Sequence, residues 1–202
     1  MSDQTQSTHT RTYRKRRRAE LEDETRLRIT EAAVDLHGSV GPARTTVSAV
    51  ADRAGVQRAT VYRHFPDEDA LFAACSSHWL AQNPLPDPAA WAAVEDPDER
   101  LRVALRDLYA WFDRTEYMIE RTTRDVAVVP AMQPPMDAFA GYFEAAADAI
   151  VRGRPERGAR RQRDRAAVGH AISFETWRSL VRHQGLSAEQ AIALMADLVA
   201  PA

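Results

Sequence analysis

The sequence predicts an all-α protein of about nine helices, on three observations. Apolar residues recur at three- and four-residue spacing through most of the chain, no segment alternates apolar and polar residues over a strand's length, and Gly and Pro fall between the periodic segments. With 202 residues, 45% of them apolar and 28% charged, the chain can bury one large core or two smaller ones.

Residues 1–22 show no apolar period. They are rich in Ser, Thr and Gln and then in basic residues, Arg14, Lys15, Arg16, Arg17 and Arg18, which predicts a disordered basic arm. From Asp23 onward Ile29, Ala32, Ala33, Leu36 and Val40 return at helical spacing, until Gly38 to Pro42 stop the first helix. Thr45 and Thr46 offer a hydroxyl cap for a short second helix that carries Val47, Val50, Ala51 and Ala54 on one side. Gly55 suits the positive φ that ends such a helix, and a third short helix, 57–65, places Val61 and Phe65 four residues apart. Pro66 closes this unit, so residues 23–66 read as a three-helix domain with a tight turn between its last two helices.

Residues 67–202 read as a larger helical domain. Asp67 caps a fourth helix that runs to about Gln82, with Glu68 and Asp69 in its first turn, where acidic side chains favour the helix dipole. Pro84, Pro86, Pro88 and Pro97 mark residues 83–97 as a loop. Leu101 through Phe112 form the apolar face of a fifth helix, and residues 116–125 read as a separate sixth after Thr115. Met136 to Ile150 give a seventh, bounded by Pro134 and Pro135 on one side and Gly153 on the other. Residues 157–183 read as one long helix closed by Gly185, and Ser187 with Gln190 forms a capping box for the last.

Several function classes are excluded at this level. No stretch approaches the ~20 apolar residues of a membrane-spanning helix, and the N-terminus is polar, so a cytoplasmic protein without membrane contact is expected. The one cysteine, Cys75, has no disulfide partner and reads as buried. His9, His37, His64, His78, His170 and His183 form no metal-binding helix pair, and neither a phosphate loop nor a nucleophile elbow is present. No enzyme, cofactor or metal is therefore expected.

The formal net charge of −2 conceals an asymmetry. Residues 1–64 carry 12 Lys and Arg against 8 Asp and Glu, whereas the remainder carries 15 against 21. Phosphate contact by the N-terminal end alone fits that distribution. The third helix fits it as well: it has one thin apolar side, Val61 and Phe65, and leaves Arg58, Thr60, Arg63 and His64 outward with the phenol of Tyr62. A helix lying in a DNA major groove needs that pattern, although a helical hairpin inside an ordinary core can also produce it.

Residues 25–75 carry a more specific signature: Thr-Thr, five residues, Ala-x-x-Ala-Gly-Val, then Thr-Val-Tyr-x-His-Phe, followed by an Asp-capped fourth helix. This arrangement resembles the N-terminal domain of TetR-type transcriptional repressors. The resemblance implies a homodimer joined through the last two helices, a helix-turn-helix that binds a double-stranded DNA operator, and a larger domain that binds a small-molecule inducer. By position it implies that Thr46 caps the second helix at a backbone phosphate. It places Arg58 and Ala59 toward bases, and Thr60, Tyr62 and His64 toward base edges or phosphates, with Arg63 added by geometry. Many relatives carry a phosphate-directed Lys at the start of the fourth helix, where this chain has Glu68; the basic arm, Arg14 to Arg18, is then the expected source of compensating contact. A ligand-binding or scaffold protein with degraded DNA recognition is the alternative. For the inducer, Trp111, Tyr117, Met118, Met132, Met136, Phe139, Phe143, Phe174 and Trp177 are candidates to line an apolar pocket, and His170, Arg121 or Arg124 to orient a polar group in it, although aromatic residues at helical spacing equally suit a plain core.

Overall fold

A computed structural model describes residues 4–199, with side chains from Tyr13 onward. The first helix, α1 (Gln4–Ser39), is 36 residues long and so spans about 54 Å. Its length corrects the expectation of a disordered arm over residues 4–22; residues 1–3 of that expected arm lie outside the described residues. The basic run lies within a sequence free of Gly and Pro before Gly38, and Arg16 pairs with Glu20 at 3.2 Å and Arg18 with Glu22 at 3.1 Å, one helical turn apart. Such pairs support an exposed helix that has no core to bury.

The C-terminal half of α1 packs on α2 (Val47–Ala54) and α3 (Arg58–His64). Their core is small: Ile29, Ala32, Ala33, Val50, Ala51, Ala54, Val61 and Phe65, completed by Leu71 and Cys75. The latter two come from α4 (Glu68–Gln82), capped by Asp67, whose carboxylate accepts from Ala70 N at 2.8 Å. Further along, α4 places Trp79 in a second, larger core. One helix is thus shared by two bodies.

The second body is built from α5 (Pro88–Ala92), α6 (Pro97–Asp125), α7 (Gln133–Val151), α8 (Gly158–Ala171), α9 (Phe174–Trp177) and α10 (Ala188–Val199). Three helix boundaries differ from expectation. The loop 83–97 contains α5, because Asp87 caps it at 2.9 Å, Pro88 occupies its first turn, and Trp91 is buried. Residues 116–125 are not a separate helix: Thr115 is fully buried and its hydroxyl donates to the Trp111 carbonyl, so α6 continues unbroken. The stretch 157–183 breaks at Ile172 and Ser173, and after α9 it continues as a π-helix, Arg178–His183. Two contacts hold the break. The Ser173 hydroxyl caps α9 by accepting from Thr176 N at 3.2 Å, and the buried Tyr109 hydroxyl donates to the Ala171 carbonyl at 2.9 Å. With ten α-helices and no strand among the described residues, the all-α expectation stands. No helix among them is long and apolar enough to cross a membrane.

Candidate functional site

The candidate head is a helix pair, α2 and α3, set by three local devices. The Thr46 hydroxyl accepts from Ala49 N at 3.2 Å and starts α2. Gly55, at φ 66°, ends it in the left-handed region, and Val56 N donates back to Ala51 O at 3.0 Å. Only two residues separate this glycine from α3, which buries Val61 and is flanked by the buried Phe65. Arg58, Ala59, Tyr62 and Arg63 are exposed, whereas Thr60 and His64 are half-buried. Among the described residues neither Arg58 nor Arg63 forms an ion pair. Thr46 is exposed beside them at the start of α2.

His64 is held differently from its neighbours. Its Nε2 is shut away from solvent without a partner, and burial, followed by the positive charges of Arg63 and Arg26, holds its pKa below the ordinary value against the opposing pull of Glu22. Its backbone is pinned as well: Arg26 of α1 donates from Nη1 to the His64 carbonyl at 2.6 Å and lies 4.1 Å over the Phe65 ring. A second tie, Arg53 to Asp35 at 2.8 Å, joins α2 to α1. Arg26 carries no sequence signal, since its partner is 38 residues away. The basic run, Arg14 to Arg18, is exposed along the helical extension of the same α1, and Glu68 is exposed at the start of α4.

Where head and larger body meet, a polar clasp caps α1. Arg121 donates from Nε to the Ser39 carbonyl at 2.9 Å, and Arg124 donates from Nη2 to the Val40 carbonyl at 3.2 Å. Asp125, buried, receives Arg124 Nε at 2.6 Å and Ala43 N at 3.0 Å, and the Arg124 bond holds its carboxyl below the usual range despite burial. The side chains of Arg124 and Asp125 close tightly on the Gly41 backbone here. Gly41 sits at φ 96°, and a Cβ on it would collide with Arg124 Nη2 and Asp125 Oδ2. Both arginines therefore face the junction and not a pocket.

Next to the clasp lies a cavity of about 420 Å³ between α1, α4, α6 and the start of α7, within the size range of small-molecule sites. Of the residues expected to line such a pocket, Met118, Met132, Met136 and Phe139 are on its wall. Trp111, Phe143, Phe174 and Trp177 instead stack around Phe112 at ring distances of 5.5–6.0 Å, in the core of the larger body. Tyr117 is exposed, accepting from Trp79 Nε1 at 3.3 Å, and His170 is exposed beside the Thr176 hydroxyl. His37 and Phe72, which sequence reading did not single out, complete the wall from the head side. No cluster of three or more metal-ligating side chains occurs among the described residues.

Residues 29–75 match the family model described as bacterial regulatory proteins, tetR family. No curated protein matches the chain by sequence. Among solved structures it is similar to a TetR transcription regulator from Haloarcula marismortui, with 15% identity and a TM-score of 0.58 over 88% of this chain and 95% of that one. It is similar also to the multidrug binding protein EbrR, solved with imidazole, at 24% identity and a TM-score of 0.56, covering 89% and 91% of the two chains. A third is the transcriptional regulator FadR from Bacillus subtilis, solved with stearoyl-CoA, at 17% identity and a TM-score of 0.53, covering 86% and 95%. Residues 29–75 thus match the tetR family of bacterial regulatory proteins, and over its described span the chain has the fold of solved TetR regulators.

Proposed function

We propose that the protein is a cytoplasmic, ligand-responsive transcriptional repressor that binds a pseudo-palindromic operator as a homodimer and is released by a small-molecule inducer. The observation that carries this reading is α3, a helix with one buried side chain and an outer face of Arg58, Ala59, Tyr62 and Arg63. Two such helices enter successive major grooves about 34 Å apart, or a multiple of that distance. Arg58, at the start of α3, donates two hydrogen bonds to a guanine edge. Thr46, Thr60 and Tyr62 meet phosphates or base edges. His64 acts mainly by filling the space beneath α3, since its Nε2 is enclosed. The extension of α1 carries Arg14, Lys15, Arg16, Arg17 and Arg18 to the DNA backbone as a rigid rod.

Dimerisation through the last two helices draws support from Leu194 and Leu198, four residues apart and exposed on α10. An inducer in the cavity touches α1 and α4 directly, and the ligands of EbrR and FadR, imidazole and stearoyl-CoA, support small-molecule binding by this fold. Nothing in this reading requires chemistry. The rival, a ligand-binding protein with degraded DNA recognition, is favoured by one feature, the acidic cluster Asp67, Glu68 and Asp69 beside the head. A salt titration separates the two. Repressor binding to an inverted-repeat DNA from the gene's flank falls linearly in log affinity against log salt concentration, whereas absence of any salt-dependent DNA affinity rejects the reading.

A further inference from the structure

The cavity is lined by elements of both bodies, and its head-side wall is Val34 and His37 of α1. His37 is 5% exposed, and its ring stacks on Phe72 at 4.7 Å with 4° between planes. No hydrogen bond to either ring nitrogen is formed among the described residues. Neither nitrogen is among the polar atoms sealed from solvent without a partner, so the unpaired edge of the ring is reachable from the cavity it lines.

Most other polar groups of the wall are already engaged. The Thr122 hydroxyl donates to the Met118 carbonyl at 2.8 Å, the Cys75 thiol faces the Thr30 carbonyl at 3.8 Å, and Trp79 Nε1 donates to Tyr117. Ser77 is exposed and Ser76 half-buried. Among the described residues no Asp, Glu, Lys or Arg lines the cavity. A charged ligand group buried against this wall would therefore gain no counter-ion from it.

Resting on the reading of this cavity as the effector site, we infer that the effector is an uncharged, largely apolar molecule whose hydrogen-bonding group pairs with the imidazole of His37. Burial lowers the pKa of His37 to about 4, so at neutral pH the ring has one N–H donor and one bare nitrogen acceptor. It can thus serve a hydroxyl, a carbonyl or an amine. The effector then binds a side chain of the head itself, on the helix that also supports α3.

The test uses the DNA-free full chain and two probes of one skeleton, N-phenyl-1-naphthylamine, uncharged with a single N–H, and 8-anilinonaphthalene-1-sulfonate, which adds a sulfonate. Wild type is expected to bind the uncharged probe saturably, and the sulfonate at least about tenfold more weakly. H37F weakens uncharged-probe binding by about 3- to 10-fold, and H37Q stays within about threefold of wild type. Because a variant can lose fold, the side-chain 15N resonances of His37 in the wild-type protein are followed as well, and they shift on adding the uncharged probe. A folded H37F with unchanged affinity, an unmoved His37 ring, or equal binding of the sulfonate overturns the inference. A protein with salt-dependent operator binding that fails these tests remains a repressor and loses only this effector chemistry. One that passes them without any DNA affinity has the cavity chemistry and not the repressor function.

Discussion

Arg58 stands on the outer face of α3 without an ion-pair partner among the described residues, so its removal leaves the fold untouched. Arg58→Ala is expected to cost about 1–3 kcal/mol of operator binding and to relax preference at one position; equal loss on all sequences, read in a mobility-shift series of operator variants, would restrict Arg58 to phosphate. Arg26 acts on the same helix from behind, through the His64 carbonyl and the Phe65 ring. His37 gives a second, pH-dependent outcome. Its imidazole titrates near 6.5 when unfolded and near 4 in the fold, so the unfolded chain takes up the proton first. The stability of the neutral buried ring is complete above pH 6.5 and is lost as pH falls from 6.5 toward 4, by at most about 3 kcal/mol. Denaturant unfolding at pH 7 and pH 5 measures this: the difference shrinks in H37Q, and an unchanged difference denies His37 the role. Arg58, Tyr62 and Arg63 were legible as outward because a single helix defines its own faces, whereas Thr60 and His64, read as outward too, are half-buried, with His64 Nε2 enclosed. Arg26 and His37 were not legible, because each acquires its meaning from a partner far away in sequence.

Among the elements, those closed by local devices were readable and those closed by tertiary contacts were not. Thr46, Gly55, Asp67 and the Ser187–Gln190 pair stop or start helices within four residues of themselves, and each was visible in the sequence. The break after α8 depends on Tyr109, a side chain 62 residues away, and helical periodicity runs across it undisturbed. The extension of α1 was misread because an absent apolar face was taken for absent structure, whereas Arg16–Glu20 and Arg18–Glu22 support the helix from its surface. Its proposed contact with DNA has a direct measure. Replacing Arg14 and Arg17 by Gln is expected to lower the salt slope of operator binding by about 1–2, and an unchanged slope places the rod away from the duplex. The clasp between α1 and α6 is equally open to test. Gly41→Ala sets a side chain at φ 96° against Arg124 and Asp125, and a loss of roughly 1–3 kcal/mol in denaturant unfolding is expected.

At the scale of the whole molecule, two bodies share α4 and are clasped where α1 meets α6. Pro66 and the charge asymmetry suggest a boundary in the sequence, but Leu71 and Cys75 beyond it complete the first core; the cavity at the junction was not legible, because its wall draws on four helices. Replacing Leu198, 67% exposed on α10, by Arg is expected to leave the monomer folded and to halve the mass seen by light scattering if α10 joins two copies. Operator affinity then falls with it, since a single head reads only half a site.

The continuity of α1 has a mechanical consequence. His37, on the cavity wall, and Arg17, in the basic run, lie on one uninterrupted helix, about 30 Å apart along its axis. If the segment turns as a stiff body about its clasped end, a tilt of about 5° carries Arg17 sideways by roughly 3 Å, about the length of one hydrogen bond. A sub-ångström adjustment beside the Phe72 ring is thereby magnified with distance, and the basic end of the rod becomes the part of the protein most displaced by what fills the cavity.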